Sequence, residues 1–213
     1  MRRSRLLRIF GPKPPQPTAG GESTAPHTGD GLPEDDRTPE RRERAAHRQQ
    51  LAREHGWTYV ECDTPAIQGW PRTALPPGPL GRVRDEVTGR YRGRAFRFFD
   101  YIHRDSAHAP WRTLSVCAVR IPVQVPYLYV RDPDGTGHDL YAESPEADFA
   151  VELLSDDVRD DIRENGFTDL VLDRDLLICT AAGGGPQDIE PRLDALTRLI
   201  AHVPADVWAH WGR

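Results

Sequence analysis

Residues 81–130 read GRVRDEVTGRYRGRAFRFFDYIHRDSAHAPWRTLSVCAVRIPVQVPYLYV, and the fold class follows from this stretch. β-Branched and aromatic residues gather in four runs, 83–87, 95–102, 111–121 and 127–130, each bounded by Gly, Pro or Asp. Such runs read as strands, because branched and planar side chains fit a pleated surface while Gly and Pro end the ladder. Thr88-Gly89 and Arg92-Gly93 are turn punctuation, and 105–110 is a hairpin loop. Pro122 and Pro126 lack the N–H a central ladder needs, which places the next connection at a strand end or sheet edge. The expectation is an antiparallel meander.

Working outward, Thr38-Pro39-Glu40 is a helix start: an N-cap hydroxyl, a proline at the first helical position and an acid in the first turn. The helix runs to His55, and Gly56 supplies the left-handed residue that ends it. Its apolar residues are only Ala45, Ala46, Leu51 and Ala52, which predicts weak packing and a solvated arginine face. A strand follows at 57–62, then a proline-rich loop over 63–81 in which Trp70 reads as a packing plug.

Downstream, 132–135 is a turn, and 144–154 carries Phe149, Val151, Leu153 and Leu154 into a second helix, with Ser155 as a cap and Asn165-Gly166 closing the segment. Residues 170–172 and 176–180 read as a hairpin across Asp173-Arg174-Asp175. The last helix, 188–203, has Ile189, Leu193, Leu196, Ile200 and Val203 spaced by four, three, four and three, one apolar stripe facing a core. Strands do not alternate with crossover helices, which excludes a parallel doubly wound sheet. The predicted fold is α+β, an antiparallel meander packed by a C-terminal amphipathic helix, in the order α-β(4-5)-α-β-β-α. It occupies 38–213, behind a 1–37 arm.

That arm divides in two. Residues 1–10 combine four arginines with Leu6, Leu7, Ile9 and Phe10, a frayed basic end able to touch an anionic membrane surface but without the apolar core of a secretory signal. Residues 11–37 hold six prolines and five glycines, a composition too poor in apolar surface to offset the entropy of ordering, and read as a disordered linker. No run of about 18 apolar residues occurs. Cys62, Cys117 and Cys179 lie far apart in apolar runs, as buried free thiols of a reducing, cytoplasmic compartment do. Of 28 basic residues only Lys13 is lysine, a bias that GC-rich codon usage produces by itself, and the net charge of −5 argues against a globally basic nucleic-acid binder.

Three constellations carry candidate chemistry. Arg90, Arg92 and Arg94 interleave with Tyr91, Phe96, Phe98 and Tyr101, an arrangement that could hold a partner chain or a single-stranded nucleic acid by charge and stacking. Together with Trp70 they form the predicted binding set. His103, Asp105 and His108, with Asp100 upstream, have neither helical nor same-face strand spacing for a metal, so no metal, cofactor or catalytic residue is assigned; an enzyme would need a pocket joining Asp100, Tyr101 and His103. Residues 183–186, Gly-Gly-Gly-Pro, precede a helix but lack phosphate-loop spacing and a lysine.

Three blocks carry a resemblance: His55-Gly56-Trp57-Thr58-Tyr59, the Thr88–Tyr101 stretch ending Phe98-Phe99-Asp100-Tyr101, and Val203-Pro204-Ala205-Asp206-Val207-Trp208. Together they resemble a family of uncharacterised bacterial proteins with a Gly-Trp-Thr-Tyr start, a Phe-Asp-Tyr strand and a Pro-x-x-x-Trp end. The resemblance covers about 45–210 and implies a domain boundary rather than an activity; members often carry an N-terminal transmembrane helix, where this chain has the Arg/Leu segment. The element order is also similar to that of type III secretion chaperones. The reading is a non-catalytic protein- or peptide-binding module using a sheet edge or the Tyr/Phe/Arg face.

Overall fold

The computed structural model describes residues 7–10, 38–62, 70–76, 78, 80–106, 108–133, 139–182 and 189–213. The 11–37 linker, most of the 132–135 turn and the 183–186 glycines lie outside these residues, as do the side chains of residues 7–10 and of Cys62. In chain order the elements are β1 (Leu7–Phe10), α1 (Pro39–His55), β2 (Thr58–Cys62), a 3-10 turn (Arg72–Ala74), β3 (Arg82–Tyr91), β4 (Arg94–His103), β5 (Arg112–Arg131), β6 (Leu140–Glu143), α2 (Ala147–Leu153), α3 (Asp156–Glu164), β7 (Asp169–Ala182), α4 (Ile189–His202) and α5 (Ala205–Trp211). The fold is α+β, built on one seven-stranded sheet in which every pairing is antiparallel except that of β1 with β6.

The meander β2–β3–β4–β5 forms, with Arg92 and Gly93 at positive φ in the β3–β4 turn, but Thr88-Gly89 is not a turn: both lie inside β3, paired with Arg97 and Phe96, because Trp57 takes the space above Gly89. Beyond it the chain departs from expectation in three places. The runs 111–121 and 127–130 are one 20-residue strand, β5, and Pro122 and Pro126 fall inside its two register shifts against β7, where a missing N–H removes no regular ladder bond. The expected 170–180 hairpin is a single strand, β7. Its Asp173-Arg174-Asp175 segment is an irregularity with Arg174 at φ 55° rather than a turn, because β5 runs past it and keeps the pairing going on both sides. The expected second helix is two, α2 and α3, separated where Ser155 Oγ accepts from Val158 N and restarts the helix; Val151 points out to solvent. At the amino end Leu7–Phe10 pairs in parallel with β6, so this part of the arm is an edge strand in place of a frayed end.

Each sheet face has its own core. On the first, Ile189, Leu193, Leu196, Leu199 and Ile200 of α4 bury with Phe96, Phe98, Cys117, Leu177 and Cys179 of the strands and with Phe149, Leu153 and Ile162 of α2 and α3. On the second, Trp70, Ala74 and Leu75 lie over Val83, Phe99, Tyr101, Val116 and Ile178, with Trp70 edge-on to Phe99 at 5.1 Å. The segment from Trp70 to Leu75 lies over this face as a strap, and Trp70 is its plug. Alternation along β4 explains the split: even positions face the helices and odd ones face the strap. Gly89 is glycine because Trp57 rests on it; an added Cβ would stand 2.3 Å from the indole Cδ1.

Helix α1 packs against expectation. Arg48 is 1% exposed, its guanidinium donating to Asp100 Oδ1 at 2.8 Å and to the Asp85 carbonyl at 3.1 Å while lying 4.7 Å from the Phe98 ring centre. Ser115 Oγ also donates to Asp100, and Tyr59 OH to Asp85 Oδ1 at 2.9 Å. Asp85 adopts φ 51° in a bulge of β3, which turns both its carboxylate and its carbonyl toward α1. Arg42 and Arg53 are exposed, as a solvated face requires, while Arg48 is an ion-paired anchor, because α1 has few apolar residues to bury and adds a paired charge to them.

Candidate binding site

The structure separates the residues singled out in the sequence. Phe96 and Phe98 are core residues under the helices, and Tyr101 and Trp70 are core residues under the strap. Tyr101 is stacked on His103, and its hydroxyl accepts from Gly81 N at 2.8 Å. None of these four rings has an open face for a base or a partner side chain. Arg90 donates to the Gly93 carbonyl, Arg92 pairs with Asp194 of α4 at 2.7 Å, and Arg94 reaches the Arg120 carbonyl at 3.5 Å. The arginines therefore staple the hairpin to α4 and β5, apart from the buried rings. Of the intervening basic residues, Arg97 holds Glu86 at 2.6 Å and covers Trp70 at 4.9 Å.

Asp100 and His103 are likewise kept apart, since an odd separation in a strand puts them on opposite faces. Asp100 faces α1; His103 is buried on the strap side, where desolvation holds its imidazole below the ordinary value, toward the neutral form. A small hollow at Thr38, Arg41, Arg44, Ile102 and Thr113 takes in Asp100 and not His103, and among the described residues no cluster of three or more His, Cys, Asp or Glu has the geometry to hold a metal ion.

The open features lie elsewhere. Among the described strands β7 pairs only with β5, and Leu177, Ile178 and Cys179 in its second half are at most 1% exposed. Asp169, Asp173, Arg174 and Asp175 stand along its first half, the kind of charges that blunt an edge. From Leu176 to Ala182 there is no charge and no proline. That half borders a cleft of about 440 Å³ lined by Thr180 and Ala181 of β7, by Asn165, Gly166, Phe167 and Thr168 after α3, and by Pro191, Arg192 and Ala195 of α4. The volume is in the range of ligand and peptide pockets.

Below the cleft wall, Cys117 and Cys179 face each other directly across the β5–β7 pair. Donation to Cys179, together with burial, pushes the Cys117 thiol well up; Cys179 is lowered, first by accepting that hydrogen bond and then by Arg192, whose Nη1 lies 3.8 Å from its sulfur. Both thiols are free and buried. The second sheet face adds a half-exposed tyrosine group: Tyr129 sits edge-on to Tyr141 at 6.4 Å and donates to Asp169 at 2.6 Å, and burial pushes Tyr127 up to about 12. Sequence reasoning missed Arg192 because it is one arginine among many. It also missed the length of β7, since Asp173-Arg174-Asp175 reads as a turn.

The class these features define is an α+β protein with a mainly antiparallel seven-stranded sheet and a cleft beside β7, and no helix of the described residues is long and apolar enough to cross a membrane. No protein-family model matches the sequence, and no curated protein matches it. Among solved structures the chain is similar to the crystal structure of the mycobacterial trehalose monomycolate transport factor A, TtfA, with a TM-score of 0.60 over 79% of this chain and 96% of that one, at 15% sequence identity. At that identity the likeness is one of fold.

Proposed function

We propose that this chain is a non-catalytic binding protein whose partner is a protein segment seated in the cleft between β7 and α4. The observation that carries the reading is that cleft of about 440 Å³, with Thr180 and Ala181 on one wall and Pro191, Arg192 and Ala195 on another. A hollow of this size takes one or two side chains of a partner segment, and its mix of apolar wall and few polar groups supplies orientation. The candidate acids and bases Asp100 and His103 are held apart on opposite faces of β4, which favours binding over chemistry.

A photocrosslinking residue at Thr168, exposed at the cleft, tests the reading against the same residue at Glu54 on α1. Protein crosslinks in cells should form from position 168, be absent from position 54, and disappear when Ala181→Lys puts a charged side chain into the cleft. Crosslinks indifferent to Ala181→Lys, or none from position 168, would overturn it.

A further inference from the structure

One end of the sheet, away from the cleft, carries an apolar fringe set among arginines. Leu80, just before β3, is 62% exposed, and with Val151 it is one of two large apolar side chains left so open among the described residues. Arg82 pairs with Ile102 and His103 with Arg112, so one ladder crosses β3, β4 and β5. Extended to the end of the sheet, that register sets Leu80, Arg104 and Trp111 in one row, and residues of one row share a face. The contacts agree with it. The Arg104 guanidinium lies 4.7 Å from the Trp111 ring centre, and Gly78 lies against the carbonyl oxygens of Arg104 and Asp105.

Positive charge surrounds this row. Arg72, Arg82 and Arg112 are exposed and Arg104 is half-buried, and Arg72 is kept at this end by donating to the Gly78 carbonyl at 2.9 Å. Against them stands Asp105, which pairs with Arg112 at 3.3 Å. Exposed Glu40 and Arg42, at the start of α1 behind the row, offset each other. Counting in Asp63 and Asp188, which lie outside the described residues, still leaves four arginines against three acids.

We infer that this end of the sheet rests on an anionic lipid surface, with Leu80 and Trp111 entering the headgroup layer and the four arginines lying among the phosphates. Apolar tips and basic side chains reinforce each other only at such a boundary, where one medium takes the hydrocarbon and the other the charge. A polyanion in water, such as single-stranded nucleic acid, would use the arginines alone. It offers Leu80 no apolar medium, and Arg104 covers Trp111 where a base would stack.

Flotation of the full chain with vesicles of phosphatidylcholine and phosphatidylglycerol in equal parts, and with phosphatidylcholine alone, tests this. The chain should float with the mixed vesicles and not with the neutral ones, and added salt should weaken the binding. Leu80→Ala should weaken it about tenfold, through lost apolar burial. Arg82→Gln with Arg112→Gln should weaken it about 25-fold, at about fivefold per arginine. All three residues are exposed, so the variants should keep the native far-UV spectrum. Val151→Ala, at the other open apolar residue, should change nothing, and Asp105→Asn should tighten binding. No flotation, or flotation left intact by Leu80→Ala or by the double arginine variant, would overturn the contact. So would binding of a single-stranded oligonucleotide, in place of vesicles, that the arginine variant weakens and Leu80→Ala does not.

Discussion

Replacing Arg48 with methionine removes the charge that holds α1 to the sheet while keeping most of the side-chain volume. In the native structure the guanidinium is 1% exposed, binds Asp100 at 2.8 Å and the Asp85 carbonyl at 3.1 Å, and covers Phe98. Its loss leaves Asp100, 3% exposed, with only the Ser115 hydroxyl as a described side-chain partner. Breaking a buried pair from one side costs about 3–5 kcal/mol, because the surviving charge is desolvated without compensation. At about 2–4 °C per kcal/mol for a domain of this size, the melting temperature should fall by about 6–20 °C. Urea and thermal unfolding followed by circular dichroism measure the loss. Arg48→Met with Asp100→Leu should recover at least half of it, since the double variant buries no lone charge. A single variant that loses less than about 1 kcal/mol, as an exposed pair would, or a double variant no more stable than the single one, would refute the anchor.

Other consequences are equally direct. Gly81→Ala puts a methyl 2.1 Å from the Ile102 carbonyl oxygen and 2.9 Å from the Tyr101 ring, atoms that cannot swing away, and should cost about 1–3 kcal/mol in the same unfolding assay; a neutral result would mean the β3–β4 pairing gives way there. Tyr127, raised to about 12 by burial against an unfolded value of 10.0, contributes stability below pH 10 that is lost as pH rises through 12, so Tyr127→Phe should show a shallower stability loss across that window. Equal slopes for the two proteins would contradict its burial. Arg90→Ala, Arg92→Ala and Arg94→Ala together should leave the affinity for single-stranded oligonucleotides unchanged, because the rings that would stack bases are buried; salt-dependent binding that the triple variant weakens would restore a nucleic-acid role.

Local signals were legible wherever a residue's own stereochemistry decides the outcome. Thr38-Pro39 starts α1 and Gly56, at φ 66°, ends it; Arg92-Gly93 turns the β3–β4 hairpin; the four-three spacing from Ile189 to Ile200 marks the buried stripe of α4. Misreadings occurred where the same local chemistry serves two tertiary uses. Asp173-Arg174-Asp175 and Pro122 look like chain reversals, yet they become ladder irregularities once β5 and β7 lie side by side, since a left-handed residue or a missing N–H suits a bulge as well as a turn. Arg48 looks solvated until Asp85 and Asp100 converge on it from strands 37 and 52 residues away. Sequence by itself determined the α+β class, the order of most elements and the two-residue alternation that sends Phe98 and Phe99 to different cores, because these depend on period and propensity. Only the tertiary structure decided that Phe96, Phe98, Tyr101 and Trp70 are buried in two separate cores, that β7 is one strand along β5, and that Arg192 lines a cleft. Exposure and charge pairing depend on what the rest of the chain brings alongside.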